Sequence, residues 1–266
     1  MTIHDLLKKY WGFSQFRDLQ EDIINSVLQG NDTLALMPTG GGKSICFQVP
    51  ALANDGICIV VSPLIALMKD QVSHLTNKGI KAVAIYSGMS KTEIDLALDN
   101  CVYGNYKFLY VSPERLATEL MKVRTEKMNV NLLAVDEAHC ISQWGYDFRP
   151  PYLQIAEFRK IIPGVPVLAL TATATPNVVA DICERLEFKR DHQQVFQKSF
   201  ERKNVSYSVC IIPIDSNTIK YLHVVQNKTG LNHADFIDEY TTNHDSVLFA
   251  TNACISGSTG EPIGLL

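Results

Sequence analysis

The sequence predicts an α/β protein whose parallel sheet is flanked by helices. Up to about residue 190, short apolar segments alternate with segments of helical periodicity, which is typical of βαβ units. The apolar segments are hydrophobic almost throughout, as in parallel strands that are covered on both faces. The chain has 266 residues, of which 46% are hydrophobic, so it can bury a sizeable core.

Six apolar segments are predicted to be strands. They cover residues 33–37, 57–61, 82–86, 107–111, 131–135 and 165–170. Helical spacing predicts helices over 15–28, 43–53, 64–77, 90–100, 151–161 and 177–186. The first of these helices carries one apolar stripe, which ends before Gly30 and consists of Phe16, Leu19, Ile23, Val27 and Leu28.

The pattern changes after about residue 200, where the chain becomes polar and irregular. Residues 199–209 are predicted to form a connecting strand, and 247–253 is the only later segment predicted to be a strand. The last residues are rich in Gly, Ser and Pro and are predicted to be irregular. We therefore predict a first domain over 1–205 and an incomplete second domain or irregular tail over 206–266.

Charge and cysteine content narrow the class of protein. The net charge of −4 means that a nucleic-acid partner would have to be held by a local basic or polar face. The seven cysteines include no CxxC pair, so we expect reduced, mostly buried thiols, and the spacing indicates no zinc site. The sequence shows neither a signal peptide nor an apolar run that could span a bilayer, so we expect no membrane partner. A cytoplasmic location is expected, associated with the nucleoid in a bacterium.

A glycine-rich segment, MPTGGGKS at 37–44, follows the first predicted strand and precedes an apolar helix. Strand, glycine loop and helix are the context of a phosphate-binding P-loop. Its glycines allow backbone N–H groups to converge on phosphate oxygens, where a Cβ would obstruct the turn. Lys43 is predicted to neutralise the β- and γ-phosphates, and the Ser44 hydroxyl to ligate Mg²⁺. The predicted nucleotide-binding residues of this loop are Thr39, Gly40, Gly41, Gly42, Lys43 and Ser44.

A second acidic element supports this interpretation. Asp136 and Glu137 follow directly after the predicted strand 131–135. Asp136 is predicted to hold Mg²⁺ together with Ser44, and Glu137 to orient and deprotonate the attacking water. The alternatives are an ordinary glycine-rich turn and a solvated strand end. Both elements occur in one chain at the ends of parallel strands, so we predict ATP and Mg²⁺ as cofactors and Lys43, Asp136 and Glu137 as catalytic residues.

The order of these segments resembles the RecQ family of DNA helicases. The resemblance covers about residues 3–210 and includes Met37, since the family has its own P-loop variant. It rests on WGFSQFRDLQ (11–20), VVSPLIALMKDQV (60–72), YVSPERL (110–116), DEAHCISQWGYDFRPPY (136–152) and LALTATAT (168–175). It implies a RecA-like P-loop NTPase domain in which Gln20 pairs with the adenine edge and Arg17 lies against the base.

The same resemblance implies contacts with nucleic acid. The predicted contact residues are Ser62, Pro63, Ser112, Trp144, Phe148 and Arg149. Trp144, Tyr146 and Phe148 crowd one loop and could stack on unpaired bases, or the loop could tuck into the sheet, with Trp144 and Phe148 partly buried. The two Ser-Pro pairs could equally be turns that end strands. His139, Thr171 and Thr173 are predicted to couple ATP hydrolysis to strand movement, or His139 is a hydrogen-bonded core residue.

The resemblance weakens after residue 210. RecQ helicases have a second lobe that supplies arginines to the γ-phosphate, and here no arginine follows Arg202. The strand expected between about 210 and 228 is not predicted, so we expect an incomplete second lobe, weak turnover and little unwinding. The predicted function is that of an ATP-dependent DNA helicase acting 3′ to 5′, with single-stranded or partly duplex DNA as partner. The alternatives are a non-catalytic nucleotide- and nucleic-acid-binding module and a DEAH-type RNA helicase fragment.

Overall fold

The computed structural model describes residues 1–145, 147–189, 191 and 193–197, and the backbone of three later strands at 206–215, 218–227 and 249–252. The chain divides into two compact units, Met1–Lys198 and Ser199–Leu266, which are described separately. The predicted division at residue 205 stays a prediction. No helix in the described residues is long and apolar enough to cross a bilayer.

The first unit alternates strands and helices. Its strands are β1 (Asp32–Leu36), β2 (Ile57–Val61), β3 (Ala82–Ile85), β4 (Phe108–Val111), β5 (Val130–Val135), β6 (Val167–Thr171) and β7 (Gln193–Gln197). Its helices are α1 (Ile3–Trp11), α2 (Gln20–Leu28), α3 (Lys43–Ala53), α4 (Ile65–Asn77), α5 (Lys91–Tyr103), α6 (Pro113–Leu116), α7 (Glu119–Thr125), α8 (Gln154–Arg159) and α9 (Pro176–Arg185). Two short 3₁₀ helices cover Ala138–Ile141 and Pro150–Leu153.

The strands of the first unit form one sheet in the order β3-β4-β2-β5-β6-β1-β7, and every pair is parallel. The predicted α/β fold is therefore confirmed, and all six predicted strands are present. Strand β7 and helices α1, α6 and α7 were not predicted. Helix α1 has a clear sequence signal, because Thr2 and Asp5 form a reciprocal capping box at its start.

The core lies on both faces of this sheet, which explains the continuous apolar strands. Leu34 and Leu36 pack into one cluster with Leu133, while Ala35 packs into a second cluster with Phe47. Successive side chains of a strand point to opposite faces, so a strand covered on both sides is apolar along most of its length.

A buried ion pair joins the start of β1 to the end of α8. Nη2 of Arg159 lies 2.9 Å from both carboxylate oxygens of Asp32, and the two side chains are 14% and 5% exposed. Asp32 also accepts from the backbone N–H of Val167 and Lys189, at 3.0 and 3.3 Å. Nη1 of Arg159 donates to the carbonyl of Glu187 at 3.0 Å. One carboxylate thus connects β1, α8, β6 and the segment after α9.

We expect Arg159→Met to lower the free energy of unfolding by about 3–5 kcal/mol, because it leaves Asp32 as a buried charge without its cation. Urea unfolding of the unchanged protein and of the Arg159→Met variant measures this difference in the free energy of unfolding. The matched control is Lys160→Met, which removes a neighbouring cation from an exposed pair with Glu157 and should change stability by no more than ~0.5 kcal/mol. Equal midpoints for the two variants would contradict the assigned role of the buried pair.

The second unit contains an antiparallel sheet in the order β10-β8-β9, made of β8 (Ser206–Asp215), β9 (Thr218–Asn227) and β10 (Phe249–Asn252). Strand β10 confirms the prediction for 247–253. Residues 206–209 of the predicted connecting strand belong to β8, and 199–205 lie outside the described residues. The prediction that 247–253 is the only later strand is wrong, because β9 pairs with β8 along most of its length. These strands are neighbours in sequence and pair antiparallel, so the parallel βα pattern of the first unit does not predict them.

Candidate functional site

The predicted catalytic segments meet at the carboxyl edge of the sheet. The glycine loop follows β1 and the acidic pair follows β5, and β6 lies between these two strands. The Met37 N–H donates to the carbonyl of Thr171 at the end of β6, at 3.0 Å. The carboxyl ends of three neighbouring strands, β5, β6 and β1, therefore lie side by side. Ligands of open α/β sheets bind at this edge.

The glycine loop adopts a backbone that requires glycine. Gly40 and Gly42 have φ of 78° and 79°, in the left-handed region that side chains rarely adopt. A Cβ on Gly41 would lie 2.9 Å from the carbonyl oxygen of Pro38, and one on Gly42 would lie 2.4 Å from Nε2 of Gln20. The tight curve brings successive backbone N–H groups toward the start of α3.

Lys43 and Ser44 are the first two residues of α3. Gly42 is the N-cap and has no side chain to bond the free N–H groups of the first turn. These N–H groups and the helix dipole therefore favour an anion at this end. Lys43 makes no hydrogen bond or ion pair with any residue that the structure describes, so its ammonium group is available to bind an anion.

Met37, which departs from the strict P-loop pattern, belongs to the core. It is 1% exposed, and the Cys46 thiol donates to its sulfur at 3.6 Å. Its side chain lies beneath the loop with Ala35 and Phe47. The apolar residue therefore anchors the loop to the sheet.

Arg17 and Gln20 support the glycine loop from α2 and the segment before it. Nη1 of Arg17 donates to the Gly40 carbonyl at 3.1 Å, and Nε2 of Gln20 donates to the carbonyls of Gly41 and Gly42 at 3.3 and 3.1 Å. Oε1 of Gln20 accepts from the Arg17 N–H at 2.8 Å. Adenine recognition by Gln20 stays a prediction, and it requires the amide to share or exchange these bonds.

The acidic pair is closely packed at the end of β5. The Glu137 N–H donates to the Asp136 carboxylate at 3.0 Å. Burial, and then the charge of Glu137, raise the pKa of Asp136 above its ordinary value. Glu137 has φ of 48° and ψ of 46°, a left-handed conformation that costs roughly 1–3 kcal/mol for a residue other than glycine. Such strain persists where the surrounding structure fixes it, and it is concentrated at functional sites.

His139 links the acidic pair to the end of β6. Its Nδ1 lies 2.9 Å from the Thr171 hydroxyl and 3.4 Å from a carboxylate oxygen of Glu137. The Thr171 hydroxyl also donates to the Thr173 carbonyl at 3.1 Å and accepts the Thr173 N–H at 3.3 Å. Three predicted coupling residues therefore form one chain of hydrogen bonds, whose His139 end lies 3.4 Å from the Glu137 carboxylate.

A cavity of about 370 Å³ opens where these segments meet. Part of its lining is apolar and includes Phe47, Val60 and Met68. Its polar walls are formed by the glycine loop, the start of α3 and the end of β5, and they include Thr39, Gly40, Gly42, Lys43, Ser44, Ser62, Asp136 and Glu137. The structure therefore brings the three predicted catalytic residues, and the predicted phosphate-binding residues apart from Gly41, to one cavity.

The predicted Ser-Pro contacts lie at the ends of two neighbouring strands. Ser62 follows β2 and Ser112 follows β4, and they are 2% and 4% exposed. Their N–H groups donate to Val111 and Ile85, at 3.1 and 3.3 Å, within the sheet. Within the described residues, neither hydroxyl has a hydrogen-bond partner. Pro63 is partly exposed, and phosphate contacts by these residues stay a prediction.

The aromatic loop is exposed at Trp144, whose side chain is 75% exposed. The prediction of a partly buried Trp144 is wrong, because the loop turns outward after Ser142, whereas Phe148 is partly buried as predicted. Tyr146 lies outside the described residues. Nε and Nη2 of Arg149 donate to one oxygen of Asp147 at 3.1 and 2.9 Å, so the guanidinium is paired within its own loop.

The family model for DEAD/DEAH box helicase matches residues 17–182, which is more than half of the chain. The chain belongs to the DEAD/DEAH box helicase family. The matched residues include the glycine loop, the acidic pair and the end of β6. Members of this family use ATP and typically a divalent metal.

RecQ helicases are among the relatives of this helicase domain. It is 42% identical over 208 residues to the ATP-dependent DNA helicase RecQ of Haemophilus influenzae, covering 78% of this chain and 33% of that protein. It is 42% identical over 242 residues to the RecQ of Bacillus subtilis, covering 90% and 37%. A protein of Acanthamoeba polyphaga mimivirus named as an RNA helicase is also 42% identical, over 206 residues, covering 77% and 37%. The chain spans about a third of the length of these relatives, and the predicted resemblance to RecQ helicases is confirmed.

Solved structures agree on the fold. The crystal structure of the DUF1998 helicase MrfA bound to DNA has a TM-score of 0.60 and 17% sequence identity, and the likeness covers 74% of this chain and 29% of that one. The predicted RecA-like helicase domain is therefore confirmed as a fold.

Sequence reasoning missed two residues that support the helicase site. The Tyr152 hydroxyl, on a fully buried side chain, donates to the carbonyl of Asp136 at 2.9 Å. Gln48 is buried in α3, and its Nε2 donates to Oε1 of Gln71 at 3.0 Å beside the cavity. Tyr152 follows two prolines in the quoted DEAH segment, which is a weak signal for a buried hydroxyl. Gln48 offers no signal, because a glutamine inside an apolar helix has no characteristic spacing.

Proposed function

We propose that this helicase domain binds ATP with Mg²⁺ and couples its hydrolysis to binding of single-stranded or partly duplex DNA, as an ATP-dependent DNA helicase of RecQ type. One observation carries the proposal. Lys43 and Ser44 at the start of α3, and Asp136 and Glu137 at the end of β5, line one cavity. A cation-binding pair, a phosphate-binding loop and a candidate general base together are what phosphoryl transfer requires.

The chemistry of the site fits ATP and Mg²⁺. The loop holds Gly40 and Gly42 at positive φ, and a Cβ at Gly42 would lie 2.4 Å from Nε2 of Gln20, so the phosphate-binding turn requires glycine. Ser44 and Asp136 offer a hydroxyl and a carboxylate, and Mg²⁺ prefers such hard oxygen ligands. Burial already disfavours the negative charge of Asp136, so a divalent cation beside it is electrostatically favoured. When bound, Mg²⁺ neutralises charge on the phosphate oxygens.

The protein's own groups have separate tasks in the proposed reaction. Lys43 holds the terminal phosphates by its charge and keeps them at the helix N-terminus. Glu137 orients a water and accepts its proton as the water attacks the γ-phosphorus, while the bond to the β–γ bridging oxygen breaks and ADP leaves with that electron pair. His139 lies between Glu137 and Thr171, so movement at the end of β6 changes the position of Glu137. We propose that this is how strand movement and hydrolysis are coupled.

The DNA partner is supported by the names of the RecQ relatives and by the exposed aromatic loop. Trp144 is exposed in the loop that follows the DEAH segment, where its ring is open to stacking on an unpaired base. Phe148 and Arg149 would extend this contact. Translocation from 3′ to 5′ is proposed from the resemblance to the RecQ family.

We expect Trp144→Ala to weaken binding of single-stranded DNA by about 1–3 kcal/mol, the contribution of one aromatic stacking on one base. Fluorescence anisotropy of a labelled oligonucleotide measures the affinity. Tyr103→Ala is the matched control, because Tyr103 is equally exposed, at 74%, but lies at the end of α5. An equal loss in both variants, or no loss at Trp144, would remove the loop from the DNA interface.

The proposed function is tested by phosphate release from ATP, with and without Mg²⁺, single-stranded DNA and single-stranded RNA. We expect release that requires Mg²⁺ and is stimulated by DNA. Stimulation by RNA alone would favour an RNA helicase, the second candidate, which the mimivirus relative named as an RNA helicase supports. Nucleotide binding without release under any condition would favour a non-catalytic binding module.

A further inference from the structure

We propose that His139, Cys140 and Asp147 form a binding site for a zinc-like divalent cation that joins the DEAH segment to the aromatic loop. One ligand atom from each of these three side chains lies within 4.8 Å of the others. The cluster shares no ligand with Ser44 and Asp136, the proposed Mg²⁺ ligands. Its formation does not rest on the proposed function.

The fold brings the three residues together through a tight loop. The Arg149 N–H donates to the Cys140 carbonyl at 2.8 Å, which closes the loop at its base. Gly145 packs so close to the 3₁₀ helix that an added Cβ would lie 3.0 Å from the His139 carbonyl oxygen. The loop therefore places Asp147 beside Cys140, and the Cys140 thiol donates to Oδ2 of Asp147 at 3.7 Å. Sequence spacing did not indicate this cluster, because its residues do not follow a CxxC or HxxxH pattern.

Each ligand is already held in place by a neighbour. The Thr171 hydroxyl is bonded to Nδ1 of His139, which leaves Nε2 for a cation. A second partner on the other ring nitrogen is the usual support of a metal-binding histidine. Arg149 and Cys140 both bond Oδ2 of Asp147. Its Oδ1 has no hydrogen bond among the described residues and is free to ligate.

The donor set selects the class of metal. Thiolate and imidazole are soft or borderline ligands, which favour Zn²⁺ over Mg²⁺ or Ca²⁺. Three protein ligands leave a fourth tetrahedral position for water, as in open zinc sites. Metal binding must remove the proton of the Cys140 thiol, which costs free energy because burial raises the pKa of that thiol to about 12. The proton passes to solvent as the sulfur–metal bond forms.

Co²⁺ serves as the probe, because a thiolate ligand gives it an ultraviolet charge-transfer band and tetrahedral coordination gives it visible bands. The protein is titrated with Co²⁺ in excess Mg²⁺ and without ATP or DNA, and Zn²⁺ is then added. We expect both sets of bands to appear and Zn²⁺ to abolish them. Absence of the thiolate band, or bands that Zn²⁺ does not displace, would overturn the site.

Variants identify the ligands. Cys140→Ser should abolish the thiolate band, and Asp147→Asn should weaken Zn²⁺ binding by at least the ~10–100-fold that loss of an outer-sphere partner causes. Asp147 is exposed, so this second variant tests the site even where Cys140→Ser disturbs folding. Cys101→Ser is the control, since burial also raises the pKa of that thiol to about 12. A band that survives in Cys140→Ser, or is lost in Cys101→Ser, would assign the metal to another thiol.

Discussion

Glu137→Gln is expected to reduce the rate of ATP hydrolysis by about 10²–10⁴-fold, the usual contribution of a general base, while ATP binding is retained. Glutamine has the same size and can still orient a water, but its amide cannot accept the proton. The backbone at Glu137 is left-handed, and a Glu-to-Gln change does not alter that strain, so the effect isolates the carboxylate. Single-turnover phosphate release and a fluorescent ATP analogue measure the rate and the affinity separately.

Glu184→Gln is the matched control, because it neutralises an exposed carboxylate on α9 and leaves the cavity unchanged. We expect its rate to equal that of the unchanged chain. Undiminished turnover in Glu137→Gln would remove Glu137 from its role as base. Loss of both hydrolysis and ATP binding would instead assign Glu137 to nucleotide binding, since an interaction made only in the transition state changes the rate alone.

The parallel sheet could be predicted because each of its inner strands is apolar on both faces. Helix α3 was also predicted with its exact ends, since Gly42 precedes it and Ala53 is its last apolar residue before a polar turn. Helices α6 and α7 were not predicted, because four and seven residues are too few to show a helical stripe. Their stability comes from packing on α8 and α5, which a local pattern does not contain.

The order of the motifs predicted that the candidate catalytic residues lie at strand ends, where the structure has them, and the sheet topology decides which of them meet. The position of β6 between β1 and β5 could not be predicted from the order of the strands in the sequence. Without that order, contact between His139 and Thr171 rests on the RecQ resemblance alone. The Asp32–Arg159 pair could not be predicted from the sequence either, because the two residues are 127 positions apart and meet only when the sheet has formed.

The largest differences from expectation concern side chains at the surface and at the loop. A tryptophan in a loop could be buried or exposed, and the backbone turn after Ser142 decides that Trp144 points outward. Adenine recognition by Gln20 stays a prediction, but the bonds from its amide to the carbonyls of the glycine loop were not expected. Both outcomes depend on hydrogen bonds between loops, which have no periodicity to reveal them.

Lys43→Ala is expected to weaken ATP binding by roughly 10- to 150-fold and to abolish measurable turnover, with the fold retained. Hydrogen bonds to charged groups contribute roughly 1.5–3 kcal/mol, and this one also neutralises the terminal phosphates. The fold should persist because Lys43 makes no hydrogen bond or ion pair within the described part of the chain. Isothermal titration with ATP and Mg²⁺ measures the affinity, and thermal unfolding without nucleotide tests the fold.

Lys91→Ala removes the same charge from the first turn of α5, at an exposed position far along the chain from the glycine loop. Its ATP affinity should match that of the unchanged chain, which separates a local contact from a change in net charge. Unchanged affinity in Lys43→Ala would mean that phosphate is held by the backbone N–H groups of the loop and the helix N-terminus alone. The P-loop assignment of Lys43 would then be wrong, although the glycine cradle would remain a site for anions.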